Sequence, residues 1–526
     1  MSGETLKVFI TMVIYMSVVI VIGLYFAKRA NENSDNFFLG GRTIGPWVSA
    51  LSAASSDMSG WLLMGLPGVA YFLGLSDAVW TAIGLAAGTI INWIWVAKRL
   101  RRYSEVAGNS ITLPDFFSNR FKDTKKVLLT LTALWILIFF VVYASSCFVT
   151  VGKLFSTIFG LPYVYMMILG AAFVLFYTAV GGFLAESASD TMQATIMILA
   201  LGMVLTVGTS VAGGMSQVIS NAKSIPGFFE FFGIASPKLV DGVQQVQNGV
   251  PLFGEAGKYG FYTVISTLAW GLGYFGMPHV LLRFMAIRDE KEIKISATIA
   301  AVWVVISLFA AVMIGIIGRA LFPTALTTAG GAETIFIVTA KALFNPIFAG
   351  LAMAGILAAT ISSADSYLLI GASAFSKNIY QGIFKKDATD KQVMTITRVI
   401  LITITIIGII IALNENSVIF TIVSFAWAGL GATFGPLMLF SLFWKRTTIE
   451  GAVAGMVSGG VMVFVWKLLL KPMGGIFGVY ELLPAFIISC LVIYVVSKAT
   501  PEPSKEIQEE FELAKSNNVI STIQNN

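Results

Sequence analysis

The chain has 526 residues, of which 57% are hydrophobic and only 12% charged, against about 25% charged in ordinary globular chains. With a mean hydropathy of +0.84, no soluble fold of this size hides that much apolar surface, so a string of soluble domains is excluded and the composition is that of a polytopic membrane protein. The net charge of +6 does not mark a nucleic-acid surface, because the basic residues sit in short loops between apolar stretches: Lys98, Arg99, Arg101 and Arg102; Lys122, Lys125 and Lys126; Lys385, Lys386 and Lys391.

At about 20 apolar residues per crossing, thirteen spans are predicted, near 6–27, 43–73, 77–97, 127–157, 160–182, 190–213, 258–282, 295–322, 334–375, 394–413, 416–444, 448–470 and 477–497. The first follows Met1-Ser-Gly-Glu4 and is too long for a signal-peptide core, so it stays as a membrane helix. Cys147 and Cys490 fall inside apolar spans, which suits neither a disulfide framework nor a metal cluster. An odd number of spans puts the termini on opposite sides. With the N-terminus outside, loops 28–42, 98–126, 183–189, 283–294, 376–393 and 445–447 and the tail after Lys498 lie inside and, with the adjoining span ends, hold most of the 34 Lys and Arg residues. That predicts N-out, C-in in a cytoplasmic membrane. The outside loop 214–257 is expected to cover the outer mouth. Residues 1–500 read as one transmembrane domain, and 501–526 as a polar cytoplasmic tail with a short helix and frayed ends.

Three spans are unlike the rest. The second carries Ser52, Ser55, Ser56, Asp57, Ser59, Gly60, Gly65, Pro67 and Gly68; the seventh runs Trp270-Gly-Leu-Gly-Tyr-Phe-Gly-Met-Pro278-His279; the ninth packs Thr360, Ser362, Ser363, Asp365 and Ser366 into seven residues. Gly and Pro at this density interrupt a helix, and interrupted backbone at membrane depth is tolerated only where protein or a water-filled cavity satisfies it. The second and seventh spans are five apart, as two five-helix units of inverted topology require. Broken helices in matching positions of two repeats point to the central site of a secondary transporter. The predicted fold is all-α, with about thirteen transmembrane helices and a five-plus-five core over spans 2–11, about 43–444.

These residues also carry a likeness. Gly40-Gly-Arg42, Ser56-Asp-Met-Ser-Gly-Trp-Leu-Leu-Met-Gly-Leu-Pro-Gly68, Tyr177-Thr-Ala-Val-Gly-Gly-Phe-Leu184, Trp270-Gly-Leu-Gly-Tyr-Phe-Gly276, Pro278-His279, Arg283-Phe-Met-Ala-Ile287 and Ala426-Trp-Ala-Gly429 resemble the sodium:solute symporter family, most closely its sodium/proline branch. The resemblance implies sodium-driven alternating access importing L-proline, with sodium as the coupling ion and no other cofactor; another amino acid, a betaine or a carboxylate is the alternative solute, and a membrane sensor the rival outside transport. No obligate protein partner is evident beyond membrane lipid.

By the same resemblance, the main sodium site comprises backbone oxygens of Ser55, Met58 and Ala359 with the hydroxyls of Ser362 and Ser363. A hard alkali cation suits such a cage of neutral oxygens. Hydroxyls on membrane helices otherwise bond back to the preceding turn or knit helices together. Asp57, a costly mid-span carboxylate, is expected to serve sodium coupling, with capping of the broken helix as its plain reading. Asp190 matches a position tied to a second cation, with Ser362 and Ser366 as companions; as the first residue of span 6 it reads equally as a helix N-cap. Asp365 stands where the proline branch has a small polar residue and brings an extra carboxylate there, allowing proton participation. Tyr143, Trp270, Tyr274 and Pro278 are the expected substrate contacts, the last three sharing a face at spacing four, their rings suited to a pyrrolidine and its secondary ammonium. Met277 replaces an expected glutamine. Arg42 is a candidate inner gate.

Gly271-Leu-Gly273-Tyr-Phe-Gly276 fits a dinucleotide-binding pattern, but it lies inside a span with no preceding strand, and its glycines suit close helix approach. His279 is the only histidine, which removes multi-histidine metal sites and is read as a hydrogen-bonded residue near the inner end of span 7. No nucleophile–base set is visible, so an enzyme is not expected.

Overall fold

A computed structural model of the chain describes residues 3–30 and 34–516. Among them eleven helices are long and apolar enough to cross a membrane. They are α1 (Gly3–Phe26 within Gly3–Ala30), α4 (Leu75–Val106), α5 (Val127–Phe159), the two halves of α6 (Tyr163–Val180 and Gly182–Val211), α9 (Ile293–Leu321, entered from Glu290), α10 (Pro346–Phe384), α11 (Asp390–Ile411), α12 (Ile419–Phe443), α13 (Ile449–Met473) and α14 (Leu482–Ala499). The second and seventh expected spans are missing from that set because each is broken near its middle. One is α2 (Pro46–Gly60) followed by a π-helical turn and α3 (Leu66–Leu73); the other is α7 (Phe261–Leu268), a 3-10 stretch Ala269–Gly276, and α8 (Pro278–Ala286). Eleven long apolar helices and these two broken spans stand beside the roughly thirteen expected, and the five-plus-five core with two interrupted helices stands.

The breaks have local causes. In α2, Ser59 turns to φ 43, ψ −171, so carbonyls ahead of it lose their partners one turn on. The second break falls where Met277 is extended (φ −76, ψ 108) and Pro278 opens a new helix at a position that needs no amide donor. The glycines before it serve close approach: a Cβ on Gly271 would lie 2.2 Å from the Gly84 carbonyl of α4, and one on Gly276 2.6 Å from the Leu430 carbonyl of α12. The apparent dinucleotide motif is therefore a packing surface.

Several boundaries differ from expectation: α4 runs to Val106 and α10 to Phe384, past the expected ends at 97 and 375, and two further differences bear on the site. The loop placed at 183–189 is helical, α6 running through it with a single break at Gly182 (φ 59, ψ −173); Glu186, Ser187 and Ser189 read as loop because they are polar, yet they are buried, as is Asp190 after them. Asp190 is therefore not an N-cap but sits two turns inside a helix. The ninth span begins at Pro346, not 334. Asn345 caps its first turn through Ile347 and Phe348 amides, and the residues before it form separate short helices, Ala329–Ala332 and Ile335–Leu343.

The long loop after α6 holds a helix, Met215–Lys223, and three two-residue antiparallel pairs: β1 (Gly233–Ile234) with β6 (Gly257–Lys258), β2 (Leu239–Val240) with β3 (Val243–Gln244), and β4 (Val246–Gln247) with β5 (Val250–Pro251). It seals onto the α3–α4 junction, where Gly74 at φ 90 lets Leu75 bond the Phe228 carbonyl at 2.7 Å. At the opposite, basic face the tail forms α15 (Lys505–Lys515), docked through buried Ile507, Phe511 and Ala514. Lys122 bonds Glu506 and Glu510, and Arg99 lies over the Phe443 and Phe511 rings. The expected fraying of the tail's far end lies outside the described residues.

Candidate functional site

The two breaks meet. Tyr274 donates its hydroxyl to Asp57 Oδ2 at 2.6 Å, and His279 Nε2 lies 3.4 Å from Asp57 Oδ1. Asp57 thus ties one interrupted helix to the other. His279 belongs to the first turn of α8 beside the break, not to the inner end of its span. Asn92 supports the same junction by donating to the Tyr274 carbonyl at 3.0 Å, and Trp427 Nε1 donates to the Trp270 carbonyl at 2.8 Å. Both bonds satisfy carbonyls that the 3-10 stretch exposes.

Beside Asp57 is a small cavity lined by Met58, Trp61, Leu85, Tyr143, Trp270, Tyr274, Val423 and Trp427. Three of the four expected substrate contacts are there; Pro278 is not, because the helical register at spacing four is lost across the break. Its volume of about 10 Å³ is room for roughly one water, so a solute must part these rings to enter. Phe420 lies across Trp61 and Trp270, with ring centroids 6.0 and 5.2 Å away. Tyr367 stacks on Tyr143 at 4.1 Å.

On the loop face this lid is pinned by Glu333, which accepts from the Ile419 and Phe420 amides at the start of α12 and pairs with Lys153 at 2.8 Å; Lys153 also reaches the Ser417 carbonyl at 2.7 Å. On the basic face Arg42 joins Asn109, Ser104 and the carbonyls of Met285 and Ser110, at 2.5–3.1 Å. It therefore links the end of α8 to the last turn of α4 and the segment after it.

Three of the five expected cation ligands, Ser55, Ser362 and Ser363, also converge. Ser363 Oγ lies 3.3 Å from the Ser55 carbonyl and Ser362 Oγ 3.0 Å from Ser55 Oγ. Met58 stands one residue before the break in α2, and Ala359 is buried one turn earlier on α10. Ser362 also donates to Asp190 Oδ1 at 2.5 Å, and Ser52 to Asp190 Oδ2 at 2.6 Å. Next to them Arg283 reaches Ser52, Glu186, Asp190 and Ser366. Asp365 is 1% exposed with no hydrogen-bond donor on either oxygen among the described residues. The set brought together is thus Ser55, Ser362, Ser363, Ser366 and Asp190.

Sequence reasoning missed Glu186, Arg283, Asn92, Trp427 and Tyr367 as site residues. Glu186 and Asn92 carried a usable signal, being polar groups at membrane depth. Arg283 and Trp427 lay in segments read only for family likeness, and nothing in its local pattern distinguishes Tyr367 from a packing aromatic.

Two helices broken at matching positions, joined at a buried carboxylate and facing a hydroxyl-rich helix, define a secondary transporter of the inverted-repeat class. The family model described as "Sodium:solute symporter family" matches residues 37–459. The chain belongs to this family, whose members are transporters and not enzymes. It is 41% identical over 511 residues to the sodium/proline symporters of Staphylococcus aureus strains USA300 and NCTC 8325 / PS 47, covering 96% of this chain and 95% of each relative. Among solved structures it is similar in fold to a Na+-coupled sialic acid symporter in a substrate-bound outward-open state (TM-score 0.76, 18% identity, 95% of this chain and 99% of that one). It is also similar to MhsT in complex with L-phenylalanine (TM-score 0.51, 15% identity, 85% and 97%).

Proposed function

We propose that the protein imports L-proline across the cytoplasmic membrane, driven by sodium, as a single transmembrane domain with the N-terminus outside and the C-terminus inside. The observation that carries this reading is the meeting of Ser55, Ser362 and Ser363 at the break in α2, one helical turn from the aromatic cavity. The near full-length likeness to sodium/proline symporters supports the choice of solute. Sodium binds the oxygens of Ser55, Met58, Ala359, Ser362 and Ser363. Proline binds among Tyr143, Trp270 and Tyr274, its ring against theirs and its ammonium toward their faces.

Asp57 transmits between the two sites: it is two residues from Ser55 and bonded to Tyr274. Ordering the α2 break around sodium fixes Asp57, which fixes Tyr274 and the wall of the proline cavity. Each ligand then raises the other's affinity by the same factor. Asp190 with Ser362 and Ser366 holds a second cation. The concentration of Lys and Arg on the face that bears Arg42, residues 98–126 and α15 supports the orientation.

The test is uptake of labelled proline into proteoliposomes under an inward sodium gradient, a proton gradient, or neither. Sodium-dependent uptake that Asp57→Ala abolishes is the expected result. Flux driven by protons alone overturns the coupling ion, and no proline flux in folded protein overturns the solute.

A further inference from the structure

The Arg283 side chain, fully buried, sits where the second cation is proposed to bind. Its Nη2 lies 2.9 Å from Ser366 Oγ and 3.3 Å from Asp190 Oδ2, in closer contact still with Glu186. Its Nε bonds Ser52 Oγ at 3.0 Å and its Nη1 the His279 carbonyl at 3.2 Å. One cationic nitrogen therefore stands at the centre of oxygens from α6 and α10, with Ser52 of α2 bridging to Asp190. A dehydrated alkali ion asks for this same kind of oxygen shell.

The guanidinium is the counter-charge to Glu186 and Asp190 and occupies their oxygens, so its presence governs whether a further cation can use this shell. Glu186, Asp190 and Asp365 are each no more than 2% exposed, and among the described residues Arg283 is the one basic side chain in bonding contact with any of them. Withdrawing the guanidinium leaves buried carboxylates without a counter-charge, which is strongly disfavoured; adding sodium while it stays places two cations against the same oxygens. Arg283 and Ser52 belong to α8 and α2, the elements interrupted at the site, whereas Glu186 and Asp190 belong to the second half of α6 and Ser366 to α10. Any rocking of one pair against the other pulls the guanidinium out of the shell.

We propose that Arg283 is a tethered cation that fills the second cation site when sodium is absent from it, so that guanidinium and sodium alternate there through the transport cycle. This rests on the second-cation reading of Asp190. It makes Arg283 a positioning residue, and it explains how a carrier returning without sodium avoids burying bare carboxylates.

The experiment is equilibrium ²²Na⁺ binding together with proline flux in proteoliposomes, for wild type, Arg283→Gln, Arg283→Lys and Asp190→Asn. Arg283→Gln removes the competitor, so half-saturating sodium falls by about fivefold or more. Net uptake, which needs the empty return, drops by about tenfold more than exchange of proline with sodium on both sides. Arg283→Lys keeps the charge but not the planar fork, so half-saturating sodium falls less than in Arg283→Gln. A merely structural arginine would lower exchange and net uptake together and would not tighten sodium. Unchanged or weakened sodium binding in folded Arg283→Gln overturns the proposal. Should that variant not fold, Glu186→Gln/Arg283→Gln removes both partners and must show the same tightening. If Asp190→Asn alters neither the sodium-to-proline ratio nor the Hill slope, the second-cation reading falls and the proposal with it. If Asp190→Asn lowers the ratio while Arg283→Gln does not tighten sodium, the proposal alone fails.

Discussion

Tyr274→Phe isolates the bond that joins the two interruptions. The ring keeps its edge-on packing against Trp427, 5.0 Å between centroids, and its place in the cavity wall. Only the hydroxyl is lost, and Asp57 is left with His279 at 3.4 Å, a poor hydrogen-bond distance. A phenol donating to a buried carboxylate at 2.6 Å is worth about 1.5–3 kcal/mol. Asp57 lies on the same turn of α2 as the Ser55 and Met58 oxygens, so that energy is withdrawn from the ordering of the sodium site. At 1.4 kcal/mol per tenfold, half-saturating sodium rises by roughly 10- to 150-fold. The proline KM at saturating sodium moves by less than about threefold, because the lost hydroxyl faces Asp57 and the ring remains. Uptake of labelled proline across a sodium titration reads both numbers. If half-saturating sodium stays within about twofold of wild type in folded protein, the Asp57–Tyr274 bond does not connect the two sites.

Four further outcomes are expected. Gly273→Ala places a Cβ 2.0 Å from Trp427 Nε1 and displaces the indole from the Trp270 carbonyl, costing about 2–4 kcal/mol in overpacking and a lost bond; a thermal unfolding midpoint in detergent equal to wild type would refute the packing role of that glycine. Lys153→Met leaves Glu333 buried without its counter-charge and destabilises by about 3–5 kcal/mol, while Lys153→Met/Glu333→Gln recovers part of the loss; an additive double variant would show that the pair is not coupled. Arg42→Ala removes the ties to Met285, Ser104, Asn109 and Ser110, so maleimide labelling of Ser49→Cys, in a background with Cys147 and Cys490 replaced by alanine, speeds up. A labelling rate unchanged from Arg42 protein removes the gate role. Burial pulls the Lys122 ammonium down, and Glu510 and Glu506 raise it by more, leaving it above its ordinary range. A raised basic group stabilises below its unfolded pKa of about 10.4 and loses that contribution only as pH climbs through the folded value. The Lys122 contribution to α15 docking is therefore constant from pH 7 to about 9.5, and limited proteolysis of the tail at the two pH values checks it; release of α15 within that window would mean Lys122 does not hold it.

Composition and hydropathy were enough to establish a polytopic helical protein, since no other environment accommodates 57% hydrophobic residues in a chain with so few charges. The glycine and proline content of the second and seventh spans was enough to predict two interrupted helices, because the cost of those residues in a helix interior is local. Ser362 and Ser363 entered as candidate ligands through the family resemblance, and the crowding of hydroxyls on that stretch at membrane depth only marked the helix as unusual. Partnership itself belongs to the tertiary structure. Asp190 looks like a helix start until α6 is seen to run through it and Ser52 and Ser362 to close on it from two other helices. Pro278 shares a face with Tyr274 only if the helix is unbroken, and Arg283 is one more basic residue near a span end until α6 brings Glu186 and Asp190 around its guanidinium. A hydrogen bond or ion pair between residues separated by 93 or 217 positions leaves no mark in either local sequence, because the pairing is decided by how whole helices pack and not by the preferences of the segments that carry them.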